Sequence, residues 1–273
     1  MTDHIERPRR RWISALLLAA VSSSAPTAAQ SQSPLPGGLP GAWFETNAFR
    51  QRVTNDFGDW SGIYLRGVKP GMRDSYYAEV LALEAFGERG IQGGVTHRHD
   101  WSGNVFHAIG ATVGSGAAIL PKGRLDATLG VRFGDRKQWQ ATAGGSYVKS
   151  VTDLYDVAGT SSLAWYAPRA LLLETGVRYN LSRPGEIQSH RLFGVAVLTP
   201  SPRRSVSLRT SGGTEGWQII SSTTTLQRFS SQEYSLSWRE KVSGPWALTM
   251  QGDVYRNPFY ARSGVTIGVA RYW

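Results

Sequence analysis

The sequence contains no cysteine. Disulfides and thiolate metal centres are therefore excluded, and an exported chain without thiols escapes misoxidation. No segment approaches the ~20 consecutive apolar residues of a membrane-spanning helix. If the mature chain enters a membrane, it must do so as strands closed into a barrel, because lipid offers no partner for an unpaired backbone group. Histidine is also scarce. None of His4, His97, His99, His107 and His190 has Ser or Thr two positions later, the arrangement of lipid-hydrolysing barrels, and no Asp-x-His triplet occurs. No catalytic residue is assigned. His97 and His99 would share a strand face, but Arg98 stands between them and no third ligand is near in sequence. No metal site or cofactor is expected.

What the chain does contain begins with positive charge. The formal net charge is +10; the N-terminal stretch contributes +2, from Arg7, Arg9, Arg10 and Arg11 against Asp3 and Glu6, leaving +8 for the remainder. The basic stretch precedes a short apolar run, Ile13 to Val21, and the small residues Thr27-Ala28-Ala29. Residues 1–29 thus read as a secretory signal peptide. Export argues against nucleic acid as the partner of the positive charge; acidic lipopolysaccharide or an anionic solute fits better. Residues 30–42, with Pro34, Pro36 and Pro40, read as a short periplasmic linker. Residues 43–273 read as one unit.

That unit repeats a period of two. In Leu125-Asp126-Ala127-Thr128-Leu129-Gly130-Val131-Arg132-Phe133 every odd position is apolar and every even one is polar or glycine. A helix would mix these; a strand sorts them onto two faces. Fourteen such segments are expected, with twelve as the alternative count. They begin near Trp43, Trp60, Ser75, Ile91, Asn104, Gly123, Gln138, Tyr155, Arg169, Ile187, Arg204, Ser230, Trp246 and Ser263. An even number returns both termini to one side. Alternate connections are tight, as at Lys69-Pro70-Gly71 and Ser243-Gly244-Pro245, whereas Ser115–Lys122, Ser182–Glu186 and Gly212 to about Phe229 read as longer loops. Bacterial barrels show this asymmetry, with short periplasmic turns. Trp43, Trp60, Trp101, Trp139, Trp165, Trp217, Trp246 and Trp273 fall mostly near segment ends, where aromatic girdles would sit. The expected fold is an all-β, transmembrane, antiparallel up-and-down barrel in the outer membrane of a Gram-negative cell. A soluble sandwich would alternate too, but it leaves the terminal aromatic unexplained.

The last strand pattern carries Val265, Ile267 and Val269 on one face and ends on Tyr272 and Trp273. These five residues are expected to close the barrel against the strand near Trp43 and to engage the barrel assembly machinery. Arg271 shares a face with Val269 and Trp273, so it should sit at the periplasmic rim. Many strand glycines, Gly130 and Gly176 among them, fall on the small or polar face, where they would make room for bulky lumen side chains.

Several pieces carry a family resemblance. They are Ile119-Leu120-Pro121, Ser189-His190-Arg191, Ser211-Gly212-Gly213-Thr214-Glu215, Gly244-Pro245-Trp246-Ala247-Leu248, and Tyr260 through Gly268. In this order the chain, from about Trp43 to Trp273, resembles the YaiO family of outer membrane β-barrel proteins. The family commonly ends in Phe where this sequence ends in Trp273. The resemblance implies a barrel and an outer-membrane location, no established reaction, and an association with polysaccharide metabolism. Glu215, His190 and Arg262 fall on motif positions.

Strand alternation also nominates the inner wall. Arg66, Arg98, Asp126, Arg132, Asp156, Glu174, Arg178, Arg209, Arg239 and Asp253 would line the lumen, as would Gln92, Gln138, Gln140, Glu233 and Gln251; Glu215, which the family resemblance places on a motif position, is expected to join them. A lipid-facing Arg at midplane would cost ~2–4 kcal/mol. Mixed charge suits a narrow aqueous path for saccharides or small solutes, one that could serve exopolysaccharide export. It equally suits a lumen closed by ion pairs, in a barrel that only binds lipopolysaccharide, phage or a partner at its surface. An enzyme acting on lipid or glycan is a third, weaker reading. Outer membrane lipids, and a saccharide for the conduit, are the expected partners, and a monomer is the default.

Overall fold

In a computed structural model, the described residues are 41–151, 153–168, 170–220 and 223–273. The signal peptide and almost all of the linker expected from the sequence lie outside them. Among the described residues there are fourteen strands and no helix. They are β1 (Trp43–Val53), β2 (Trp60–Pro70), β3 (Asp74–Ala85), β4 (Glu88–Asp100), β5 (Val105–Gly114), β6 (Gly123–Phe133), β7 (Trp139–Lys149), β8 (Tyr155–Ala167), β9 (Leu171–Arg183), β10 (Ile187–Ser201), β11 (Arg204–Ile219), β12 (Thr225–Ser243), β13 (Trp246–Arg256) and β14 (Ala261–Tyr272). Each pairs antiparallel with its sequence neighbours, and β1 pairs with β14 to close the barrel. That seam runs from Trp43 opposite Tyr272 to Val53 opposite Arg262.

Alternation decides which face each residue takes. Along β13 the burial alternates at every step: Ala247, Thr249, Gln251, Asp253 and Tyr255 are buried, while Trp246, Leu248, Met250 and Val254 are exposed. The exposed set covers the hydrocarbon, as a lipid-facing barrel wall requires. Val265, Ile267 and Val269 on β14 do the same. Arg271 sits on that outer face with its guanidinium over the Trp246 ring, 5.5 Å from the centroid. The start of β1, the end of β14 and the connection 244–245 lie at that end, which is the periplasmic one by barrel convention. Trp139 and Trp165 stack there at 5.9 Å, and Trp101 and Trp273 are exposed at the same end of the barrel.

Three tryptophans are not part of a girdle. Trp60 and Trp217 are buried inside the barrel, and Trp43 packs inward with Ala247, Ala270 and Tyr272. Tyr272 thus faces the lumen, while Trp273 faces out. Gln138 belongs to the β6–β7 turn, where its side-chain carbonyl accepts the Arg136 amide at 3.0 Å.

The inner wall has a repeated device. Phe49, Phe106 and Phe193 point inward, each directly opposite a glycine on an adjacent strand: Gly62, Gly130 and Gly176. A Cβ on Gly130 would lie 2.0 Å from the Phe106 ring, and one on Gly176 would lie 2.3 Å from the Phe193 ring. The aromatic ring covers the backbone that the glycine leaves bare, a known cross-strand pairing in sheets. These glycines exist because the rings need their space.

Two loops differ from the sequence reading. The stretch from Gly212 to Phe229 is not a loop: β11 and β12 continue as a hairpin past the other strand ends, and only 220–224 connect them. Pairing runs on to Ile219 opposite Thr225. The Ser182–Glu186 stretch shrinks to 184–186 because β9 runs through Arg183. The Arg191–Leu198 run is apolar on both faces for a reason. Leu192 and Leu198 face lipid, while Phe193, Val195 and Val197 form an inward cluster with Leu172 and Ala164.

Candidate functional site: the lumen and its lid

The twelve charged residues expected in the lumen all lie on the inner face. Arg98, Arg132, Asp156, Glu174, Arg178, Glu215, Glu233 and Asp253 are buried, and Arg66, Asp126, Arg209 and Arg239 are half-buried. Their partners organise them into layers.

The layer nearest the periplasm centres on Glu45, which is fully buried. Arg66 donates to its carboxylate at 2.5 Å, Asn47 donates at 3.1 Å, and Arg239 pairs with its other oxygen. Arg239 also donates to the Tyr272 hydroxyl at 2.8 Å. The Trp43 ring lies 5.3 Å from the Arg66 guanidinium and 5.4 Å from that of Arg239. Around the wall, Asp100 accepts from Arg98 at 3.0 Å and from Arg132 at 3.2 Å. The Arg98 guanidinium lies over Phe106, 3.5 Å from its centroid.

A second layer lies closer to the outside. Glu215 accepts from Arg191 at 2.8 Å, from the Ser231 hydroxyl at 2.5 Å and from the Tyr255 hydroxyl at 3.0 Å. Arg262 stacks 4.3 Å over Trp60 and approaches Glu233 at 3.9 Å. A small cavity of about 30 Å³ lies beside this layer, lined by Asp156, Arg178, Asn180, Arg191, Glu215 and Trp217. A wider groove of about 330 Å³ at the rim is lined by Glu186, Ile187, Gln188, Thr214, Glu215 and Arg228. His190 points outward, where its amide donates to the Thr214 hydroxyl at 3.0 Å.

Above these layers the mouth is crossed by an apolar lid. Residues 115–122 connect β5 to β6 and dip inward. Ile119 and Leu120 are buried against Phe49, Trp60, Tyr64, Leu81 and Leu83, with Phe57, Phe86 and Tyr260 completing the cluster. Ala118 packs on Trp217 and Ile219 of the long hairpin, with Val151 and Leu154 behind them. β11 lies nearly opposite β5 and β6 around the ring, so this contact spans the mouth. The lid rests on Gly90, where a Cβ would lie 2.6 Å from Leu120 and 2.8 Å from Ala117. It is tied to β4 by Glu88, which accepts the Ala118 amide at 2.9 Å, and by Ser115, which exchanges bonds with the Ile91 backbone. Gln218 donates to the Tyr260 hydroxyl at 2.6 Å. Burial pushes that phenol up to about 12, so it remains neutral within the apolar cluster.

Sequence reasoning missed Glu45, Asp100, Arg191 and the lid. Glu45 was legible, since it alternates with Asn47, Phe49, Gln51 and Val53. The lid left one trace: Ala117-Ala118-Ile119-Leu120 is an apolar run inside a loop.

A closed antiparallel wall with a lipid-facing exterior and a charged interior defines an outer membrane β-barrel. A family model, the YaiO membrane beta barrel domain, matches residues 44–216. The chain belongs to that family. The match reaches back to β1 and stops at Gly216, so the motifs at Gly244–Leu248 and Tyr260–Gly268 lie beyond it. No curated protein matches by sequence. Among solved structures, the translocator domain of the autotransporter NalP from Neisseria meningitidis is similar in fold. It shares 12% identity, covers 88% of this chain and 91% of its own, and superposes with a TM-score of 0.51. The outer membrane protein Omp33 of Acinetobacter baumannii covers 85% of this chain and 99% of its own at 10% identity, with a TM-score of 0.49.

Proposed function

We propose that the barrel is a gated conduit for uncharged, hydroxyl-rich solutes, saccharides among them, held shut at rest by the 115–122 lid. One observation carries this reading: the lid is built from a loop and a hairpin extension, while the wall beneath it is polar. The wall charges are largely neutralised in pairs and triads, which favours neither cations nor anions. Between them stand hydroxyl and amide side chains, including Ser162, Asn180, Ser182, Ser189, Ser235, Thr249 and Gln251. Such groups exchange hydrogen bonds with a sugar as readily as with water.

The test is conductance in planar bilayers. The wild-type protein should be mostly silent. Leu120→Asp, which puts a charge into the apolar cluster, and a deletion of 116–121 should give steady, weakly ion-selective conductance. If both variants stay as silent as the wild type, the conduit reading is wrong. A second reading then stands, a closed barrel acting only at its surface. The inward apolar cluster at Phe193, Val195 and Val197 favours it, because a water-filled path gains nothing from an apolar wall.

A further inference from the structure

β3 and β4 pair with Asp74 opposite His99 and Tyr76 opposite His97. The residues between them, Ser75 and Arg98, are buried on the inner face. Asp74, His97 and His99 therefore share the outer face, beside the periplasmic turn at 71–73. The Asp74 Oδ1 atom lies 2.8 Å from His97 Nε2 and 2.8 Å from His99 Nδ1. One potential ligand atom from each residue fits within a 4.8 Å span. In a tetrahedral zinc site with metal–ligand bonds of ~2.0–2.1 Å, neighbouring donor atoms stand ~3.3 Å apart. Small side-chain rotations are enough to bring the three into that geometry, and the strand pairing holds their backbones in place. The third ligand that the sequence lacked arrives from the adjacent strand.

His107 on β5 stands directly opposite His99. Its ring is 5.8 Å from that of His99, and its Nδ1 accepts the Trp101 indole N–H at 2.7 Å. With Nδ1 occupied as acceptor, the neutral ring carries its proton on Nε2 and offers no free lone pair. Tyr76 stacks on His97 at 5.0 Å, and Trp101 packs edge-on against His99 at 5.0 Å. These rings belong to the interfacial belt, where water from the periplasm reaches the site.

We propose that Asp74, His97 and His99 form a binding site for a divalent first-row transition metal, Zn²⁺ in kind, on the outer wall at the periplasmic rim, with a coordination position open to water. The ligands are two imidazoles and a carboxylate, a borderline set that suits zinc, nickel or copper and not calcium. Metal bound there ties the β2–β3 turn to β4 outside the lumen, so the site is independent of gating.

The test uses untagged full-length barrel, chelator-treated and folded in detergent, titrated with ZnCl2 and NiCl2 by calorimetry. One metal per barrel with micromolar or tighter affinity is expected. Asp74→Asn and His99→Gln should each weaken it by about tenfold or more, since each removes a direct ligand, while His107→Gln and His190→Gln should leave it intact. Bound Cu²⁺ should show coupling to two imidazole nitrogens by electron paramagnetic resonance. Heat-modifiable migration in gels verifies that each variant is folded. Zinc should raise the thermal midpoint of the wild type and not of His99→Gln. If wild type and His99→Gln bind alike, or the wild type binds no metal, the trio is only a hydrogen-bonded His–Asp–His cluster and the proposal fails.

Discussion

Glu45 is the most exacting point of the inner wall. It is fully buried on β1, beside the closing seam, and it holds Arg66 of β2 and Arg239 of β12. Glu45→Ala would leave two guanidiniums facing each other across an empty space. Removing one partner of a buried ion group typically costs ~3–5 kcal/mol. Both arginine side chains retain 14% exposure, so the lower value applies, ~3 kcal/mol. That corresponds to roughly a hundredfold change in the folding equilibrium. Urea unfolding of the barrel in micelles, followed by tryptophan fluorescence and gel migration, measures it. The same reasoning makes a second, opposite prediction. Replacing the whole group, Glu45→Leu with Arg66→Met and Arg239→Met, leaves no stranded charge and should restore most of the loss. The account is refuted if Glu45→Ala unfolds within ~0.5 kcal/mol of wild type, the usual scale of a surface change, or if the triple replacement is no better than Glu45→Ala.

Other perturbations read other parts of the molecule. Gly130→Val places its branched carbons inside the Phe106 ring and should destabilise the barrel by ~1–3 kcal/mol in the same unfolding assay, as overpacking does. Gly159→Val, where nothing stands within 4 Å of the new Cβ, should be close to neutral there. Gly90→Val removes the seat of Leu120 and Ala117, and should give steady conductance in bilayers without preventing assembly. Deletion of Trp273, whose amide donates to the Ala42 carbonyl at 3.0 Å, should abolish insertion; normal amounts of heat-modifiable protein in the membrane fraction would show that the terminal ring is dispensable.

The wall was legible in the sequence because lipid imposes a rule on every second residue. Leu125 to Phe133 could not be satisfied any other way, and the same constraint fixed fourteen strand positions to within a few residues. The last strand was expected to pair with the strand near Trp43, and β14 does pair with β1. What the lumen holds was not legible by the same logic, because the interior accepts polar and apolar side chains alike. Phe193, Val195 and Val197 point inward with no break in their alternation, since Leu192 and Leu198 are just as apolar on the lipid side. Trp60 and Trp217 read as girdle residues because a ring near a strand end suits either face.

The hairpin of β11 and β12 shows why loops were the harder half. Gly212, Gly213 and Gly216 with the Ser221-Ser222-Thr223-Thr224 run carry the composition of a loop, so a long loop was the natural reading. Pairing continues regardless, because past the lipid boundary no face needs to be apolar and period two disappears without the strand ending. Gly216 is explained by contact rather than by flexibility: a Cβ there would lie 2.4 Å from the Ser182 hydroxyl. Past it, Trp217 and Ile219 are buried, which is possible only because the 115–122 loop comes from the far wall to cover them. Apolar residues in a segment with loop composition therefore signal an inward-folded lid, and on this chain both such segments meet at Ala118. The lid and the Asp74–His97–His99 cluster have the same origin. Each leaves only a partial trace in the sequence, the Ala117–Leu120 run and the His97/His99 pair, and each is completed by residues that only barrel closure and strand register bring together.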